Sequence, residues 1–256
     1  MSDAAPQPAP AQPAKAKKRV NETPLARFER WALPRMAARL PAWMTPDKLT
    51  LIGLASAVLI AASYLLTAYS LDWLWLATVG WVIHWWADSL DGTLARVRKI
   101  QRERYGFYVD HQSDAVSIFV IFAGLGFSPL MELPIALFIV IGYFLMMIMV
   151  NLVTIARDVF KISFGGFGPT ESRLLMIGAG TVVWLLGNPT FEFLDRTWTL
   201  FDGFGGVAAV LLLCLYAGSS LIERGKLAKL DPPRQPTLPT EAAPPPTQEA
   251  AEPEVA

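Results

Sequence analysis

The chain has 256 residues, 53% of them hydrophobic, and a mean hydropathy of +0.37, which is too apolar for an ordinary water-soluble domain. Its 22 basic and 22 acidic residues cancel, so the average charge points to no partner and gives no reason to expect nucleic acid. The one cysteine, Cys214, excludes an intrachain disulfide and a thiolate metal cluster, and reads as a small apolar residue inside a helix.

In chain order, residues 1–23 have too little apolar content to fold and are expected to form a disordered tail. Polar residues precede any apolar run, so no cleavable signal peptide is expected. The pattern changes at 24–40, where Leu25, Phe28, Trp31, Ala32 and Met36 fall along one stripe and Arg27, Arg30 and Arg35 lie elsewhere. This predicts an amphipathic helix on the cytoplasmic membrane surface, interrupted or kinked at Pro34; a solvent-exposed linker helix is the alternative. Residues 41–228 hold six apolar blocks, near 48–68, 72–95, 107–128, 133–157, 171–188 and 203–222. Each is of membrane-spanning length, roughly 20 residues. Thr45 suits the N-cap of the first block and Pro46 its first helical position. Gly53, Ala55, Ser56 and Ala57 give that helix a small-residue face for close packing. Trp73 and Trp75 fit an interfacial belt on the far side of the membrane. The Gly-rich stretch Phe164 to Pro169 reads as a turn before the fifth helix opens at Thr170-Glu171. Residues 229–256, rich in Pro, Glu, Ala and Thr, are expected to be a second disordered tail. The fold class read from this pattern is an all-α integral membrane protein, with six transmembrane helices and an N-terminal amphipathic interfacial helix.

Basic residues fix the orientation. They run from Lys15 to Lys48 before the first block and from Arg96 to Arg104 between the second and third. Arg157, Lys161 and Arg173 lie between the fourth and fifth, and Arg224, Lys226, Lys229 and Arg234 follow the sixth. The loops of the other side, near 68–72, 128–134 and 188–202, contain only Arg196. The excess of positive charge on the inner side then puts both termini in the cytoplasm of a multi-pass protein, expected in a bacterial inner (cell) membrane.

Against this apolar background stand Asp88, Asp91, Asp110 and Asp114. They occur as Asp88-x-x-Asp91-Gly92-x-x-Ala95-Arg96, nine further residues, and Gly106-x-x-x-Asp110-x-x-x-Asp114. Charge in or near a bilayer is costly and is rarely kept without a task. Spacings of three and four put the carboxylates on one face of each of two helices. Facing each other they would repel unless a cation joined them, and hard divalent cations prefer such oxygen ligands. This predicts a metal site for phosphate chemistry at the cytoplasmic edge of the membrane.

The same residues resemble the signature of the CDP-alcohol phosphotransferase family, D-x-x-D-G-x-x-A-R followed by G-x-x-x-D-x-x-x-D. The resemblance implies a six-helix membrane enzyme, commonly a homodimer, that acts on a CDP-linked substrate. A hydroxyl of a lipid or small-alcohol co-substrate attacks the phosphorus distal to cytidine, and CMP leaves. It implies Mg2+ or Mn2+ on Asp88, Asp91, Asp110 and Asp114, with Asp114 either completing a second metal site or taking the proton of the attacking hydroxyl. Gly92, Ala95 and Gly106 would let the cytidine approach the two helices, and Arg96 would pair with phosphate. The pair Asp110-His111 and the turn Gly168-Pro169-Thr170-Glu171 resemble the choline/ethanolamine branch, which makes His111 a candidate base and Glu171 its support. Gln112 and Ser113 depart from that branch, and so does the short six-helix chain. His84, one turn before Asp88, reads as a hydrogen-bonded structural residue. Asn151, Arg157 and Asp158 are either pocket residues for the polar alcohol or an ordinary helix-terminal ion pair.

Within that reading, transfer from a CDP-aminoalcohol to diacylglycerol is slightly favoured over phosphatidyl transfer from CDP-diacylglycerol to a small polar alcohol. A divalent-cation transporter is the alternative of another class, and a non-catalytic interaction protein a third.

Overall fold

The long helices start where their end groups find partners. In the computed structural model, which describes residues 18–20, 25–157, 159–161 and 168–233, the Thr45 hydroxyl accepts a hydrogen bond from the Lys48 N–H at 3.3 Å. Pro46 follows at the first position of the helix, where its missing N–H costs nothing. A short helix precedes this one, α1 (Ala26–Arg39), and six long ones follow: α2 (Pro46–Leu66), α3 (Trp73–Val97), α4 (Glu103–Gly126), α5 (Leu133–Arg157), α6 (Pro169–Leu186) and α7 (Leu200–Leu230). Strand β1 (Lys18–Val20) pairs in parallel with β2 (Val159–Lys161), and β3 (Thr190–Phe193) forms an antiparallel hairpin with β4 (Arg196–Thr199). The expected tails, the Gly-rich turn before Gly168 and Asp158 lie outside the described residues, apart from the pieces just named.

By length and composition α2, α5 and α7 can each cross a membrane. The others are less apolar because of what they carry: Asp88, Asp91 and Arg96 on α3, Asp110 and Asp114 on α4, Glu171 and Arg173 on α6. Three departures from the sequence reading have plain causes. α1 runs through Pro34 without a break, and it buries Ala26, Ala32, Leu33 and Ala37 while Phe28 and Trp31 stay exposed. Small side chains let α1 approach α3 closely, so the larger aromatics face outward. The region 188–202, expected as a plain loop, contains the β3–β4 hairpin, turned by Leu194 and Asp195 at φ 52° and 56°. The last helix continues to Leu230, well past the end of its apolar block, because its charged end is held by ion pairs.

Two apolar cores divide the bundle. The larger joins Ile60 and Tyr64 of α2, Leu74 and Trp81 of α3, Ile121 and Leu125 of α4, Ile139 of α5, Val183 of α6 and Phe201 of α7. Inside it the Trp81 indole donates to the Tyr64 hydroxyl at 2.9 Å. Gly124 of α4 lies so close to Ala61 of α2 that an added Cβ would sit 2.6 Å from the Ala61 Cα. The smaller core joins Leu33 and Ala37 of α1, Met44 and Leu49 at the start of α2, and Leu90 and Leu94 of α3.

Polar clips fix the ends. Thr199 and Asp202 form a reciprocal capping box at the start of α7, and the other Asp202 oxygen accepts the Glu132 N–H at 2.7 Å. At the start of α3, Asp72 accepts hydrogen bonds from the Trp184 indole at 2.9 Å and the Ser70 hydroxyl at 3.0 Å. These bonds, the Trp184 one foremost, hold the Asp72 carboxyl below the usual carboxylate range. At the opposite end of α3 the Arg98 guanidinium donates to the carbonyls of Leu40 and Pro41, both at 2.9 Å, and of Met44 at 2.5 Å, and so gathers the α1–α2 link.

Candidate active site

α3 and α4 both pack against α2, which brings the C-terminal half of one beside the N-terminal half of the other. The carboxylates of Asp88, Asp110 and Asp114 meet there, each half-buried, with one oxygen from each lying within 4.8 Å of the others. Asp91 is on the same face of α3 but is engaged separately. Its Oδ2 accepts from the Thr50 hydroxyl at 2.9 Å and its Oδ1 from the Gly92 N–H at 2.5 Å. Three of the four aspartates therefore share one space, and the fourth, buried, is held against α2 beside it. An all-oxygen donor set this compact fits a hard divalent cation.

Arg173, near the start of α6, is the residue that sequence reasoning missed. Its Nη2 lies 2.6 Å from Asp88 Oδ2, and its side chain is only 9% exposed. In the sequence it counted only towards membrane orientation. The available signal was a basic residue followed at once by the apolar run Leu174 to Ile177.

His111 stands beside the cluster. Its Nδ1 is 2.9 Å from the Phe107 carbonyl oxygen and 3.4 Å from Asp110 Oδ2, and its ring faces Phe107 with centroids 4.1 Å apart. A carbonyl can only accept, so the bond to Phe107 places the ring proton on Nδ1 and the basic lone pair on Nε2. Glu171 is directed to α1 instead. Its Oε1 accepts the Leu25 N–H at 3.3 Å, and its buried Oε2 has no hydrogen-bond partner among the described residues. Next to it Glu29 accepts from the Trp85 indole at 3.2 Å and from the Thr170 hydroxyl. The Gly-Pro-Thr-Glu turn thus joins α6 to α1.

The positions expected to border a nucleotide are open. A Cβ on Gly106 would meet nothing within 4 Å, and one on Gly92 only the Arg96 guanidinium at 3.4 Å. Ala95 is half-buried, and exposed Arg96 donates to the Thr93 hydroxyl at 2.8 Å. His84 is 4% exposed with its ring edge-on to Trp81, but its Nδ1 lacks the expected hydrogen bond among the described residues. Arg157 pairs with Glu223 of α7, which Lys226 also contacts at 2.7 Å, so the ion-pair alternative describes Arg157. The carbonyl oxygen of the Asn151 side chain is buried without a partner among the described residues.

No curated protein matches the chain closely enough to serve as a named relative. A family model matches residues 43–216, from the end of the α1–α2 link to α7, and so takes in the aspartate cluster, Arg173 and every helix that builds the site. On that match over more than half of its length, the chain belongs to the CDP-alcohol phosphatidyltransferase family.

Proposed function

We propose that the chain catalyses metal-dependent transfer of a substituted phosphate from a CDP-linked alcohol to a hydroxyl acceptor, with CMP as the leaving group. The family is one of transferases of phospholipid synthesis. The observation that carries the finer reading is the meeting of Asp88, Asp110 and Asp114 oxygens within 4.8 Å. These three would hold Mg2+ or Mn2+, with Asp91 in reach on the next turn of α3. When bound, the cation offsets the charge of the diphosphate and of the departing CMP. The chain's own residues do the rest. Thr50 fixes the rotamer of Asp91, open space at Gly106 and Gly92 admits the nucleotide, and Arg96 at the rim offers a guanidinium to phosphate. Asp114 or His111 accepts the proton of the attacking hydroxyl.

We further read α2 to α7 as six membrane spans, α1 as an interfacial helix, and the site and both termini as cytoplasmic. Support comes from the three helices apolar enough to cross by themselves and from the placement of basic residues. Homodimerisation follows from the resemblance alone. Nothing in the family match or in the cluster favours cation transport.

Two substrate classes remain in play, and each has an observation behind it. The engagement of Glu171 by α1 removes the proposed support of a His111 base and favours phosphatidyl transfer from CDP-diacylglycerol to a small polar alcohol. The Phe107–His111 bond, which leaves Nε2 basic, favours transfer from a CDP-aminoalcohol to diacylglycerol. With the first observation added to the family match, whose description is phosphatidyl transfer, phosphatidyl transfer is the reading we adopt. The deciding experiment measures CMP release by the full-length protein in detergent with Mg2+ or Mn2+. CDP-diacylglycerol plus a panel of small alcohols is compared with CDP-ethanolamine or CDP-choline plus diacylglycerol, using Asp91→Asn as the blank. Turnover with the second pair alone reverses the substrate assignment. No CMP from any pair, in a preparation that remains folded, refutes the enzymatic reading.

A further inference from the structure

We propose that Arg173 is a positioning residue that competes with a divalent cation for Asp88, holding that carboxylate in the metal-free site and yielding it when metal binds. The inference rests on the metal-site reading above and adds to it a role for a residue that the signature does not contain.

The geometry sets up the competition. Three carboxylates converge from α3 and α4, and one guanidinium reaches them from α6. At 9% exposure the Arg173 side chain has little water to solvate it, so its charge depends on the Asp88 oxygen 2.6 Å away. Guanidinium does not lose its proton in a protein, so Arg173 stays cationic whatever the site holds. Asp88 in turn supplies one of the three oxygens that a cation would use. A dication at that point meets a carboxylate already charge-paired and a fixed positive charge one contact away. Both lower its affinity.

The benefit to the protein is a metal-free site that does not repel itself apart. Until metal arrives, the Arg173–Asp88 ion pair joins α6 to α3. The cost is weaker metal binding, and that cost is what an experiment can read.

The test is direct Mn2+ binding to full-length, metal-stripped protein in phosphatidylcholine nanodiscs, followed by the electron paramagnetic resonance signal of free Mn2+. Removing a positive charge and releasing Asp88 should tighten Mn2+ binding by Arg173→Gln about tenfold or more. Arg173→Lys, which keeps the charge but loses the planar fork, should fall between, about threefold tighter than wild type. The sign is diagnostic, because a residue that only held the scaffold together would weaken metal binding on removal. Equal or weaker binding by Arg173→Gln overturns the proposal. Should Arg173→Gln fail to fold, Arg173→Lys decides alone, and affinity equal to or weaker than wild type overturns the proposal. Mn2+ binding by wild type and Arg173→Gln alike, lost in Asp88→Asn, overturns the competition but leaves the metal site standing. No Mn2+ binding by wild type overturns both.

Discussion

Two glycines of α4 offer a controlled perturbation, because the same substitution meets opposite surroundings. A Cβ at Gly124 would lie 2.6 Å from both Cα and Cβ of Ala61 and 2.8 Å from its carbonyl oxygen, all on α2. Carbon contacts need about 3.5 Å, so the two helices must part by roughly 1 Å. Overpacking of this kind costs about 1–3 kcal/mol. A Cβ at Gly106 would meet nothing within 4 Å. Both changes also gain helix propensity, up to about 1 kcal/mol for Gly→Ala, though less in the exposed first turn where Gly106 lies. The gain largely cancels in the difference. Gly124→Ala should therefore be less stable than Gly106→Ala by about 1–3 kcal/mol, measured by reversible unfolding in mixed detergent micelles. Activity should rank them differently. Gly106→Ala, as stable as wild type or more so, should raise the KM for the CDP-linked substrate, because its methyl enters the open space proposed for the nucleotide. Gly124→Ala should lower kcat, since Asp114 lies ten residues along the same displaced helix, and misplacements near 1 Å can cost on the order of 100-fold. Equal stability of the two variants would refute the close α2–α4 contact. An unchanged KM in Gly106→Ala would remove Gly106 from the substrate space.

Other substitutions probe the rest of the site. Thr50→Val removes the hydrogen bond to Asp91 and should cost about 1 kcal/mol of stability and reduce CMP release less than Asp91→Asn does; a loss equal to that of Asp91→Asn would mean that Thr50 itself touches substrate. Arg98→Ala removes the guanidinium donor of the Leu40, Pro41 and Met44 carbonyls, of which Pro41 keeps the Met44 N–H, and should cost about 1–3 kcal/mol, with faster amide hydrogen exchange confined to residues 40–49. Unaltered exchange there would show that the smaller core holds the link without Arg98. His111→Ala should slow turnover by about 10²–10⁴-fold if His111 is the base, and the change should be in kcat; a loss below about fivefold would assign proton removal to Asp114 instead.

The legible part of this protein was what local pattern determines. Six apolar blocks gave six long helices, most with ends within a few residues, because each block is long and its ends carry polar or proline signals such as Thr45-Pro46. The pairing of Asp88 with Asp110 and Asp114 was legible because helical spacing fixes faces and the signature names them. What stayed hidden depended on contacts between helices. Nothing local announces that Arg173 of α6 will reach Asp88 of α3, 85 residues earlier. The same holds for Glu171, whose place beside Glu29 and Leu25 is set by the docking of α1, and for Glu223, which captures Arg157 across 66 residues. The β3–β4 hairpin was hidden for a different reason. Its turn is Leu194-Asp195, without the Asn-Gly or Asp-Gly pair that marks such turns, so residues 190–199 read as a loop.

The division between the two cores connects this architecture to its chemistry. Far from the aspartates the bundle is sealed by large apolar side chains and by the Gly124–Ala61 approach, which leaves little room for relative motion of α2 and α4. Near the aspartates the smaller apolar core is supplemented by long-range polar contacts: Arg98 to the α1–α2 link, Glu29 and Glu171 between α1 and α6, Arg173 to Asp88, and Arg157 to Glu223. Packed apolar contacts fix one arrangement, whereas polar contacts can exchange partners when a charged ligand arrives. The proposed chemistry, in which the site accepts a cation and a phosphate and later releases CMP, needs the second kind of join around it and the first kind behind it. α6 links the two regimes. Val183 anchors it in the rigid core, while Arg173, nearly three turns earlier, meets the acidic cluster.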